Sequence, residues 1–216
     1  MTAVKICGLT RVEHALWAAE CGADLLGFIF YPASPRAVAP EQAAEIAAAI
    51  RSVAAQAAPL MVGVFVNESQ DVVRDVYARC NLDLVQLHGD ESPEAARALG
   101  LPYILARRMG QPGVLLGLDE YAPWAYLLDS YDPSRAGGSG APWDWNALDK
   151  QLPAGTRCIL AGGLTPGNVQ DGLRAVRPWG VDVASGVEQR PGVKNPDRVA
   201  AFIRQVKEYD RHDSDN

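Results

Sequence analysis

Short apolar runs rich in β-branched residues alternate along the whole chain with stretches whose apolar residues recur every three to four positions. The runs predict strands at Val4–Leu9, Leu25–Phe30, Leu60–Val66, Leu84–His88, Tyr103–Arg107, Ala125–Asp129, Cys158–Gly162 and Val181–Ala184. Their starts lie 19 to 35 residues apart, about one strand plus one returning helix. Between the second and third strands, Ala43, Ile46, Ala47, Ile50, Val53 and Ala54 form one apolar helical stripe, and Val199, Phe202, Ile203 and Val206 form another near the end. Ser92-Pro93, Thr165-Pro166 and Asn195-Pro196 each pair a capping side chain with a proline that lacks the N–H a first helical turn leaves unpaired. The fifth helix, around Val114 to Glu120, is short.

Eight βα units without a composition break predict a single-domain α/β fold, a (β/α)8 TIM barrel over residues 1–207 with a parallel eight-stranded core. An open doubly wound sheet is the alternative that periodicity leaves standing. The polar tail, Glu208 to Asn216, is expected to fray. The segment Ser130–Trp145, with Gly137-Gly138-Ser139-Gly140, reads as an extended sixth βα loop, and loops of that length are commonly lids or binding loops.

Composition narrows the class. The chain has 216 residues, 48 % hydrophobic and 21 % charged, which is globular. A net charge of -6 argues against general affinity for nucleic acid or an anionic membrane while leaving room for a local basic pocket. The opening residues run into a strand without a signal-peptide pattern, and the longest apolar stretch, near Leu60–Val66, is far too short to cross a bilayer. The four cysteines show no CxxC spacing and no paired histidines, so no metal site is expected, and reduced thiols in a cytoplasm are.

In such a barrel the chemistry gathers at the C-terminal ends of the strands. Lys5 and Cys7 alternate onto one face of the first strand, read as the interior. A free cysteine is ordinarily a small buried hydrophobe, and Cys21, Cys80 and Cys158 keep that reading because none precedes a loop at a strand end. Asp129 closes an apolar strand, where a carboxylate is costly unless hydrogen-bonded or functional. His88 ends the fourth strand as an orienting group or a structural one, and Asp182 is a substrate contact or an internal partner of Lys5. Gly162-Gly163 after the seventh strand and Ser185-Gly186 after the eighth stand where barrels commonly hold phosphate, because glycine lets backbone N–H groups approach the oxygens. Arg36, in a loop stiffened by Pro32 and Pro35, offers a fork for a carboxylate or is simply solvated.

These segments together resemble the phosphoribosylanthranilate isomerases from Val4 to Ile203. The matching blocks are Val4–Thr10, Gly27–Arg36, Val62–Asn67, Val85–Gly89, Leu127–Asp129, Gly137–Trp145, Leu160–Leu164 and Ser185–Lys194. The Lys-Ile-Cys-Gly and Ser-Gly-Val-Glu blocks are the distinctive ones. The resemblance implies an Amadori rearrangement in tryptophan biosynthesis on a small phosphosugar-anthranilate substrate, with no metal or organic cofactor, by a monomer or homodimer. It implies Asp129 as acid and Cys7 as base, Arg36 on the anthranilate carboxylate, and Gly163, Ser185 and Gly186 on the phosphate; His88 and Asp182 join them as candidate substrate contacts by their strand positions alone. The competing barrels fit less well: a histidine-pathway isomerase would carry aspartate where Cys7 stands, and a thiamin-type synthase would need an acidic Mg²⁺ cluster. A non-catalytic phosphosugar-binding barrel would have no use for an acid–base pair.

That mechanism sets a protonation problem. A free thiol is only roughly 3 % thiolate at pH 7, and a free aspartic acid is almost wholly ionised. Either the site favours thiolate and protonated carboxyl, with Lys5 and an apolar mouth helping, or turnover passes through a minor population.

Overall fold

The computed structural model describes residues 1–216 except 54–57, 111–113, 131–144, 146–151, 153–154 and 215–216. Its strands are β1 Ala3–Cys7, β2 Leu25–Ile29, β3 Leu60–Phe65, β4 Leu84–Leu87, β5 Tyr103–Met109, β6 Ala125–Ser130, β7 Cys158–Leu160 and β8 Gly180–Val183. They pair in parallel and in chain order, and β8 returns to β1 to close the barrel. Closure follows from the sequence pattern: strands covered on both faces read as the nearly continuous apolar runs seen here.

The register sorts each strand into an inner and an outer row. Leu25, Val62, Leu84, Ile104, Ala106, Ala125, Leu127, Ile159 and Ala161 fill the barrel as one buried cluster. Their neighbours along the strands, among them Ile6, Leu26, Phe28, Met61, Phe65, Val85 and Leu105, face outward into the helix layer. The layer is built from α1 Val12–Cys21, α2 Pro40–Val53, α3 Gln70–Arg79, α4 Pro93–Leu99, α5 Val169–Val176 and α6 Pro196–Ser214. On α6 the predicted stripe of Val199, Phe202, Ile203 and Val206 is at most 1 % exposed, which stabilises by about 1.5–3 kcal/mol per side chain. Ser92 and Asn195 cap α4 and α6 as their sequences suggested, accepting from the Ala95 and Arg198 N–H groups.

Several expectations are corrected. Val53, the last residue of α2, is 68 % exposed and leaves the stripe of Ala43, Ile46, Ala47 and Ile50, and Ala54 lies outside the described residues. Thr165-Pro166 does not open a helix directly; a turn intervenes and α5 starts at Val169. The predicted helix near Val114 to Glu120 reduces to a 3-10 turn, Leu118–Glu120. The tail is not frayed from Glu208: α6 continues to Ser214, and Asp210 accepts from the Thr2 backbone N–H (2.6 Å) and hydroxyl (2.7 Å), tying it to the chain's start. A hairpin absent from the sequence reading, β9 Glu188–Arg190 and β10 Val193–Lys194, follows β8. Residues 131–144 of the long sixth loop, with the Gly137–Gly140 run, lie outside the described residues.

Candidate active site

Cys7 ends β1 on the inner row, 5 % exposed. Opposite it stands Gly27 of β2, and a Cβ there would lie 2.7 Å from the Cys7 Sγ and 3.2 Å from the Lys5 Nζ. The missing side chain is therefore the space the thiol occupies. Lys5, fully buried, donates to Asp182 of β8 at 2.9 Å, so Asp182 is placed as the internal partner of Lys5. Burial pushes the Cys7 thiol above its ordinary pKa. Lys5 and Lys194 pull it back and Asp182 pushes it up again. Of the two alternatives the sequence left, a favoured thiolate or a minor population, the second fits: desolvation outweighs Lys5, whose influence Asp182 opposes.

Arg36 follows β2, with its stem on Gly8: a Cβ at Gly8 would meet the Arg36 Cδ at 2.7 Å, and the backbone there is left-handed at φ +73°. Its guanidinium engages Glu188 rather than solvent along one edge, Nε at 3.0 and 3.1 Å and Nη2 at 2.8 Å. Glu188 also accepts from the buried ammonium of Lys194 at 2.8 Å, and that ammonium donates to the Ala184 carbonyl. Burial would push the Glu188 carboxyl up, but Arg36 and Lys194 outweigh it and hold the pKa below the usual range. Burial lowers the pKa of Lys194, against the pull of Glu188.

Across the barrel, Asp129 lies on the inner row of β6 with Arg108 of β5 as its register neighbour. Its Oδ1 accepts the Ser130 N–H at 2.8 Å, and Oδ2 lies 3.4 Å from the His88 Nε2. The surroundings are polar rather than the apolar mouth anticipated. Gln86, 1 % exposed, places its amide nitrogen 2.8 Å from the His88 Nδ1. The imidazole is thus bridged between the Gln86 amide at Nδ1 and the Asp129 carboxylate at Nε2. Beside them a cavity of about 220 Å³ opens among His88, Arg107, Arg108 and Tyr121.

The two glycine turns meet. Gly162 and Gly163 are left-handed at φ +84° and +68°, and the Asn168 side chain clamps the turn, accepting from Thr165 N–H at 2.7 Å and donating to the Gly163 carbonyl at 2.9 Å. Gly186, in the 3-10 turn Ser185–Val187, touches the Leu164 carbonyl where any Cβ would collide. Because the strands run in order, these turns after β7 and β8 stand between Asp129 on β6 and Cys7 on β1.

Sequence reasoning missed Glu188, Lys194, Gln86 and Arg108. The first two were visible inside the Ser185–Lys194 block as charges among apolar residues, but their burial depends on the hairpin. Arg108 lay one residue past the predicted end of the fifth strand.

A closed parallel barrel gathering a buried thiol, a carboxylate and two abutting glycine turns at its strand ends is the build of a (β/α)8-barrel enzyme. Residues 4–205 match the family model described as N-(5'phosphoribosyl)anthranilate (PRA) isomerase. The chain belongs to this family. It is 46 % identical over 208 residues to the N-(5'-phosphoribosyl)anthranilate isomerase of Trichlorobacter lovleyi, covering 96 % of this chain and 99 % of that one. The crystal structure of phosphoribosyl anthranilate isomerase from Thermotoga maritima superposes with a TM-score of 0.85 at 38 % identity, covering 96 % and 100 % of the two chains. A further crystal structure holds that enzyme type with reduced 1-(o-carboxyphenylamino)-1-deoxyribulose 5-phosphate, and matches at TM-score 0.81 and 36 % identity over 96 % and 100 %.

Proposed function

We propose that the chain converts N-(5-phosphoribosyl)anthranilate to 1-(2-carboxyphenylamino)-1-deoxyribulose 5-phosphate, a step of tryptophan biosynthesis, by acid–base chemistry between Asp129 and Cys7. The observation that carries this reading is the order of groups around the mouth: acid on β6, glycine turns after β7 and β8, thiol on β1, guanidinium beyond β2. A phosphate seated on the turns puts the ribose between Asp129 and Cys7, with the aromatic carboxylate directed toward Arg36.

Asp129 gives its proton to the furanose ring oxygen as the anthranilate nitrogen pushes its lone pair toward C1, opening the ring to a protonated Schiff base. The Cys7 thiolate then takes the proton from C2, and the electron pair moves to the nitrogen to give an enolamine, which tautomerises to the ketone. In that tautomerisation the Cys7 thiol's proton goes to C1 and the C2 hydroxyl proton goes to Asp129, so both groups are reset and no co-reactant is needed. His88, whose Nε2 lies 3.4 Å from the Asp129 Oδ2, orients the acid. Because the Cys7 thiol is held up by burial, turnover draws on a minority thiolate. The four cysteines are free thiols, which fits action in a reducing cytoplasm.

Turnover followed by loss of substrate fluorescence tests the assignment. Cys7→Ala and Asp129→Asn should each lower kcat by roughly a hundredfold or more with KM little changed. Near-normal turnover in either variant would remove that residue from its role.

A further inference from the structure

The Glu188 carboxylate approaches Arg36 along one edge of the guanidinium, the edge made by Nε and Nη2. A guanidinium has five N–H donors in a rigid plane, and two forked edges can each take a carboxylate. With the Nε edge occupied, the edge formed by Nη1 and the second Nη2 hydrogen is left. Nη1 has no hydrogen-bond partner among the described residues and is not sealed from solvent, although the side chain is only 16 % exposed. The head cannot turn freely, because Gly8 holds the stem and Glu188 holds one side.

Glu188 is itself held. Its register partner on the hairpin is Lys194, whose ammonium bonds both Glu188 and the Ala184 carbonyl just after β8. The Gly192 N–H adds a contact to Glu188 at 3.3 Å, and the Thr10 hydroxyl donates to the Gly192 carbonyl, so the hairpin is pinned to the β1 loop. Charges in this cluster do not balance: Arg36 and Lys194 bring two positives, Glu188 one negative. The cluster is one anion short, and the unpaired edge of Arg36 is where an anion fits.

We propose that Glu188, braced by Lys194, is a positioning residue that turns the Nη1–Nη2 edge of Arg36 toward the substrate's aromatic carboxylate and so sets specificity for a carboxylated aniline. This rests on the reading that Arg36 meets that carboxylate. Glu188 does not touch the reacting atoms; its effect is exerted through Arg36.

The test measures dissociation constants for two probes, reduced 1-(o-carboxyphenylamino)-1-deoxyribulose 5-phosphate and its analogue lacking the ring carboxylate. Glu188→Gln should weaken the first by roughly tenfold to a hundredfold and the second by no more than about threefold. In turnover, KM should rise more than kcat falls. Equal weakening of both probes would mean a merely structural role, and no weakening of the first would mean Arg36 needs no guide; either overturns the proposal. Arg36→Met separates the underlying reading. If that variant keeps full preference for the carboxylated probe, the Arg36 assignment fails. If it loses the preference while Glu188→Gln keeps it, only the positioning role fails. Should Glu188→Gln not fold because the Lys194 ammonium is orphaned, Glu188→Leu/Lys194→Met removes both buried charges and is held to the same ratio of dissociation constants.

Discussion

Replacing Lys5 by methionine isolates the charge beneath the thiol. The ammonium is fully buried and 2.9 Å from a carboxylate that is 11 % exposed, so neither charge is well hydrated. At an effective dielectric constant near 20 their attraction is roughly 6 kcal/mol, of which desolvation of the two ions offsets most. Removing the ammonium alone forfeits the attraction and leaves Asp182 uncompensated inside the barrel, which costs about 3–5 kcal/mol. That is a large share of the 5–15 kcal/mol typical of a folded domain. Lys5→Met/Asp182→Leu should recover most of the loss, since it leaves no orphan charge. Urea denaturation of the two single variants and the double variant gives the coupling directly. Burial alone would lower the Lys5 pKa, but Asp182 and Cys7 together more than reverse it, so the folded value stands above the ordinary 10.5. The stabilisation that Lys5 supplies is therefore fully present at neutral pH and up to about pH 10.5, and is lost as pH climbs through that higher folded value. If Lys5→Met lost less than about 1 kcal/mol at neutral pH, or the double variant were no more stable than the single, the pair would not be the buried unit described.

Three other outcomes follow from the geometry. Gly27→Ala drives a methyl to 2.7 Å from the Cys7 Sγ, so it should cost about 1–3 kcal/mol in denaturation and about a hundredfold in kcat through displacement of the thiol; wild-type kcat would show the thiol is not confined there. In a Cys21→Ser/Cys80→Ser/Cys158→Ser background, absorbance at 240 nm should show no thiolate step until pH passes the ordinary value of about 8.5, because burial raises Cys7; a step near neutrality would contradict this. Ending the chain after Lys207 removes the Asp210 bonds to Thr2 and the partly buried Tyr209, and should lower stability by about 1–3 kcal/mol, read as a fall in Tm; an unchanged Tm would mean the helix end carries no weight.

What the sequence disclosed and what it hid divide along one physical line. Strands buried on both faces and helices packed by one stripe leave their pattern locally, so β1 to β8 and the stripe of α6 were readable within a residue or two. The strand-end location of Cys7, Asp129 and His88 was equally local. The tail was misread because its support is remote: Lys207-Glu208-Tyr209-Asp210-Arg211 is polar by composition, yet Asp210 meets a residue 208 positions away. Glu188 and Lys194 escaped for the same reason, since a charge in sequence gives no sign that a hairpin will fold it inward against Arg36. Cys80 and Cys7 are alike in composition and burial, and only the end of β1 separates them.

In the proposed mechanism, burying the base looks like poor design until its two effects are weighed together. Each unit by which burial raises the Cys7 pKa reduces the thiolate present at pH 7 by a factor of ten. The thiolate that remains is a stronger base, and with a Brønsted slope near one half its rate constant for taking a proton from carbon rises about threefold. The net loss is about threefold per unit rather than tenfold. Against that stands the exclusion of water from a Schiff base that hydrolysis would destroy, a protection that an exposed thiol could not give. Lys5 and Lys194 limit the rise without abolishing it, and Asp182 and Glu188 keep those ammoniums from pinning Cys7 as a permanent, weakly basic thiolate. In the proposed role, paired rather than bare lysines around the thiol are what a base that must both give and take a proton requires.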